Sequence, residues 1–135
     1  MNERTRLQAA LLGIRLSVFL VMLMWTLDKF VRAEHAAKVF SGFYFLPEWG
    51  AGAFRLIGAL ELLLLLGFVM GFKKRLTYGL VFIIHGVSTL SSYKQYLAPF
   101  EGPNLLFFAA WPMLAACGAL FMLREQDTLW AFPER

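Results

Sequence analysis

Cysteine is almost absent from this chain: Cys117 stands alone among 135 residues. An intrachain disulfide is excluded, and so are a CxxC motif and any thiol oxidant that needs paired cysteines. Cys117 itself reads as a packing residue. Histidine is nearly as scarce, with only His35 and His85. There is no HxxxH, no Cys/His cluster and no carboxylate cluster with ligand spacing, so no metal site is expected. A bis-histidine haem would need both imidazoles at one depth, whereas His35 falls in a connection and His85 inside an apolar run. No Gly-rich phosphate loop occurs. No covalent cofactor is therefore expected, and any redox chemistry would need a partner carrying a flavin, haem or thiol. Charge is scarce as well: 16% of residues, against about a quarter in an average soluble domain.

What the chain has instead is hydrocarbon. Apolar residues make up 59% of it. A bilayer core of about 30 Å needs about 20 apolar residues in a helix. Four runs meet that length, at about 10–31, 51–71, 76–96 and 104–123. They are long and continuous, unlike the short alternating segments of a barrel. The expected fold is all-α: one transmembrane domain over 1–135, an integral membrane four-helix bundle. The first run is long, carries Asp28 and Lys29 at its far end and lacks a small-x-small cleavage site, so it reads as a retained span. The net charge of +4 does not imply nucleic acid, because the basic residues sit in short segments between runs.

The connections set the topology. Lys73, Lys74 and Arg75 occupy a tight turn between the second and third runs. Pro99, Gly102 and Pro103 separate the third from the fourth, and Asn104 is placed to cap the fourth helix. Pro112 is expected to kink that helix. Residues 32–50 form a long aromatic connection with Phe40, Phe43, Tyr44, Phe45 and Trp49. Aromatic rings favour the headgroup layer, so this piece reads as a short outer-surface helix or re-entrant segment. Arg4, Arg6, Lys73, Lys74, Arg75, Arg124 and Arg135 fall on one side; Arg32, Lys38 and Lys94 fall on the other. The first side is the cytoplasm, with both termini inside.

Ionisable residues at membrane depth are costly to bury and so point to partners or tasks. Glu61 and His85 both lie about 14 Å from the inner surface at a rise of 1.5 Å per residue. The tight turn makes their helices antiparallel neighbours, so a contact between them is geometrically allowed. They are the candidate catalytic residues, able to hand over a proton if paired; the alternative is a hydrogen bond that locks two helices. Asp28, Arg55, Ser88, Ser92 and Gln95 could line a polar pocket opening outward, with Trp25 as a further ligand-binding candidate. The alternative is an Asp28–Arg55 pair and ordinary packing for Trp25 and Trp111. Arg15, Lys29 and Lys94 are expected to snorkel to the headgroups. Gly67 and Gly71 form a GxxxG, which can allow close helix approach.

Three stretches carry a family resemblance. They are the first span IRLSVFLVMLMWTLDKF, the aromatic connection VFSGFYFLPEW and the second span RLIGALELLLLLGFVMGFKKR. With the four-span layout, the chain resembles the DoxX family of small four-span bacterial membrane proteins. Thr26-Leu27-Asp28-Lys29 departs from it, since many members have a glycine before the lysine. The third span, with His85 and Lys94, lies outside the shared pattern. The resemblance implies an inner-membrane four-helix bundle linked to quinone-dependent oxidation, as in thiosulfate:quinone oxidoreductase and terminal oxidase assemblies. Arg15, Lys29, Gly58 and Glu61 match the family pattern.

Three functional readings follow. One is a quinone-binding subunit of a membrane oxidoreductase, with quinone near Glu61 and His85 and with Arg55 or Trp25 lining the way. Another is a non-catalytic membrane anchor or assembly factor, whose tail (Trp130, Phe132, Pro133) could bind a cytoplasmic surface. The third is a small-solute carrier, which a bundle this small could form only as an oligomer. The joint expectation is a membrane subunit or accessory protein of a quinone-linked oxidoreductase system. Its partners would be the lipid bilayer and a protein of a membrane complex or a second copy of the chain.

Overall fold

The computed structural model describes residues 2–31 and 51–133, which contain helices and turns and no strand. The order is α1 (Glu3–Val31), α2 (Ala51–Val69), α3 (Lys74–Ser91), the short α4 (Tyr93–Leu97), a 3-10 helix (Asn104–Ala109) and α5 (Ala110–Met122). The described chain is thus all-α, as its hydropathy pattern implies. The expected outer-surface segment, with His35, lies outside the described residues, as does the side chain of Lys29. Among the described residues, two stretches are long and apolar enough to cross a membrane, Glu3–Asp28 and Asn104–Met122, where the sequence reading expected four spans.

Local chemistry explains the boundaries. The Asn2 side-chain oxygen accepts the Thr5 amide at 2.8 Å, and Glu3 sits in the first turn, where the helix dipole favours an acid. α1 therefore starts about two turns ahead of its apolar run. α2 ends in a Schellman turn: the Phe72 amide donates to the Gly67 carbonyl at 2.8 Å and the Gly71 amide to Phe68 at 3.1 Å. Gly71 takes the left-handed φ of 65° that this turn requires. The GxxxG thus divides its labour. Gly71 closes the turn, while a Cβ on Gly67 would stand 3.1 Å from the Thr77 methyl, so Gly67 sets the α2–α3 approach.

α3 stops at Ser91, short of the expected end near 96. The hydroxyls of Thr89, Ser91 and Ser92 donate to the carbonyls of His85, Val87 and Ser88, four residues back. Such bonds compete with the helix ladder and bend or end it. The Asn104 side chain donates to the Ala98 carbonyl at 2.9 Å, clamping the connection instead of capping a helix. Pro112 lies in the first turn of α5, where its missing amide costs nothing. The helix type changes just before this proline, where the 3-10 segment Asn104–Ala109 leads into α5.

α1 packs chiefly on α2 and α3 on α5, while α2–α3 and α1–α5 contacts close the ring of four. The buried apolar core is Leu11, Val18, Leu65, Phe68, Tyr78, Val81, Cys117 and Leu120. Apolar side chains also crowd the outside: Leu20, Met24, Leu60, Leu63, Ile83, Leu90, Leu106 and Met122 are all more than half exposed.

Candidate functional site

Glu61 is half-buried on the stripe Gly58, Glu61, Leu65, Phe68, whose spacing of three and four turns it inward. Its carboxylate accepts the Thr26 hydroxyl at 3.1 Å, tying α2 to α1. His85 is buried on α3, and its Nε2 lies 3.0 Å from the Ala110 carbonyl at the start of α5. A carbonyl only accepts, so Nε2 carries a proton and donates. The structure therefore gives the two sequence candidates different partners on different helices. Each joins a pair of neighbouring helices.

The outer candidates differ in burial. Trp25 and Arg55 are exposed, Asp28 and Ser88 are half-buried, and Ser92 is buried with its hydroxyl on the Ser88 carbonyl. The side-chain carbonyl of Gln95 is buried with no hydrogen-bond partner among the described residues. Trp111 is partly exposed and stacks obliquely on Tyr96, with ring centroids 5.4 Å apart.

The most developed polar site was not legible as such in the sequence. Arg15 does not snorkel: it is 0% exposed. Leu11, Arg15 and Val18 stand at i, i+4 and i+7, so the guanidinium rises from the stripe that faces the core. It donates through Nη1 to Asp127 Oδ1 at 2.7 Å and, more weakly, to the Tyr78 hydroxyl at 3.4 Å. Nη2 donates to the carbonyls of Leu129 and Trp130. The Tyr78 hydroxyl donates to Asp127 Oδ2 at 2.6 Å, and Lys74 Nζ donates to the Asp127 main-chain carbonyl. Asp127 and Lys74 are as buried as Arg15, at 0% and 2%.

This site exists because the chain returns on itself after α5. The Gln8 amide donates to the Thr128 hydroxyl at 2.8 Å, and the Phe132 amide to the Met70 carbonyl at 3.0 Å. Phe132 also meets Phe72 edge-on, at 5.8 Å between centroids. Residues 124–133 are therefore a strap across the end of the bundle where α1 begins and α2 turns into α3. Arg15 and Asp127 are 112 residues apart in sequence, which is why no local pattern paired them. The one available signal was the core-facing register of Arg15, which demanded an acid from somewhere.

No family model, curated protein or solved structure matches this chain.

Proposed function

We propose that this protein is a four-span bacterial inner-membrane protein of the DoxX kind, with both termini cytoplasmic. It acts as an anchor or accessory subunit in a quinone-linked oxidoreductase system. The observation that carries this reading is the inversion of the surface. Large apolar side chains cover the outside of the helix ring, while Arg15, Lys74, His85 and Asp127 are held within it. In water such a surface would drive aggregation; in lipid it faces its natural solvent. Thr26–Glu61 and His85–Ala110 each join two helices, which suits a scaffold better than a proton-handling pair. Crosslinking in native membranes followed by mass spectrometry tests this. A redox enzyme captured with the chain supports the reading, and capture of the chain alone or with unrelated proteins overturns it.

A quinone-binding reading survives at a narrower place than the Glu61–His85 pair. A quinone carbonyl needs a donor, and His85 Nε2–H is already committed to Ala110. Glu61 is half-buried where α1 meets α2, bonded to Thr26, so a headgroup arriving through lipid would meet it first. The quinone would supply the electron chemistry, and Glu61 would hold or release a proton at its carboxylate. Quinone lost on Glu61→Gln but retained on His85→Ala supports this seam. Equal quinone in wild type and both variants removes it. An oligomeric solute carrier is the remaining alternative, and no contact described here favours it.

A further inference from the structure

Around the strap the buried charges do not balance. Two cations, Arg15 and Lys74, are buried with the one acid Asp127: Arg15 meets its carboxylate, Lys74 only its main-chain carbonyl, and the carbonyls of Leu129 and Trp130 take the second Arg15 nitrogen. Arg15 Nε is buried with no hydrogen-bond partner among the described residues. A fully buried guanidinium with an idle N–H is a donor set larger than its present acceptors use.

The strap that supplies those acceptors is held mainly by polar contacts. Trp130 and Phe132 turn outward, at 77% and 51% exposed, instead of filling the core. Trp130 also takes a left-handed φ of 51°, a strained backbone for a bulky residue. The grip of Arg15 on the carbonyls of Leu129 and Trp130 holds the chain in that conformation.

We propose that Arg15, Lys74 and Tyr78 form an anion-binding site for a carboxylate or phosphate group, and that Asp127 is a tethered ligand occupying it. Guanidinium and phenol present donors from two helices to one carboxylate, an arrangement that recognises carboxylate and phosphate oxygens, and the Lys74 ammonium adds its charge from the Asp127 main-chain carbonyl beside it. An external anion of the same chemistry competes with Asp127 and releases the strap. The anion could come free from the cytoplasm or as the headgroup of an anionic phospholipid, since both present the same oxygens.

The test uses the full chain in detergent and in nanodiscs. Asp127→Ala empties the carboxylate position. Formate, acetate or inorganic phosphate should then raise its Tm saturably, by several degrees more than chloride at equal ionic strength, with no such rise in wild type, where the anion only exchanges with Asp127. Adding Tyr78→Phe should weaken the half-saturation several-fold. An Asp127→Ala protein that responds to these anions no better than to chloride overturns the proposal. Should that variant not fold, wild type gives the answer through carboxypeptidase trimming of the strap. Trimming should quicken several-fold with phosphate if the ligand is free, or in phosphatidylglycerol over phosphatidylcholine nanodiscs if it is a lipid headgroup. A trimming rate indifferent to both overturns it equally.

Discussion

Arg15 and Asp127 show how a single register choice sets a cost and its remedy. A guanidinium on the core stripe is tolerable only while its counter-charge and hydrogen bonds are in place. Removing one partner of such a buried pair typically costs about 3–5 kcal/mol, so Asp127→Ala should lower the unfolding midpoint in detergent far more than any strap residue that faces outward. Replacing both partners together, as in Arg15→Met with Asp127→Leu, should recover much of that loss. Tyr78→Phe deletes one bond to a charged acceptor and should cost about 1.5–3 kcal/mol by the same measurement. Gly71 and Gly102 offer a second comparison at this scale. Both have positive φ, but a Cβ on Gly71 would lie 2.5 Å from the Ala131 Cβ, whereas one on Gly102 meets nothing within 4 Å. Gly102→Ala should therefore cost only the left-handed strain, about 1–2 kcal/mol. Gly71→Ala should cost more and also expose the strap to carboxypeptidase. Equal losses for the two would mean that the Ala131 contact does not matter.

Among the elements, the helix pairs are joined by polar ties as well as by packing. Thr26–Glu61 links α1 to α2, and His85 links α3 to the first residue of α5. In membrane helices such hydrogen bonds contribute about 0.5–2 kcal/mol each. A double-mutant cycle of Thr26→Val and Glu61→Gln should show coupling in that range. Additive losses would show that the two side chains do not act on each other. The pair is also where the scaffold and quinone readings separate. A purely structural tie lowers stability when cut but leaves function intact in the protein that survives. The ends of the elements follow local chemistry. The serine and threonine hydroxyls after His85 draw α3 to a close, and the strap then needs the Gly71 turn for its seat.

For the whole molecule, the placement of charge relative to hydrocarbon makes a topology prediction. In the proposed orientation, which puts Lys73, Lys74, Arg75 and Arg124 in the cytoplasm, alkaline phosphatase fused after residue 135 should be inactive and fused within 32–50 active. The strap adds a constraint to that picture. Asp127 can reach Arg15 only if the end of α5 and the start of α1 lie on the same side, as the Gln8–Thr128 bond requires. An active fusion at the carboxyl terminus would contradict both the charge rule and the membrane orientation proposed here.

Helix content was readable along the chain, because apolar length and turn residues such as Gly71, Gly102 and Pro103 act over a few neighbours, but helix ends were not, since α1 begins about two turns ahead of its run and α3 stops at Ser91. Spacings of three and four place Arg15 with Leu11 and Val18 and Glu61 with Gly58 and Leu65, yet Arg15 near a membrane end reads as a snorkelling residue until its acid is seen. Partners were not readable. Glu61 and His85 sit on adjacent helices, yet the Glu61 carboxylate meets Thr26 on α1 and the His85 ring meets Ala110 on α5. Arg15 and Asp127 meet only because the chain turns back after α5 and the strap docks on Met70. Periodicity states which face of a helix is buried. What that face touches depends on how the helices are rotated and closed upon one another, and only the tertiary structure decides that.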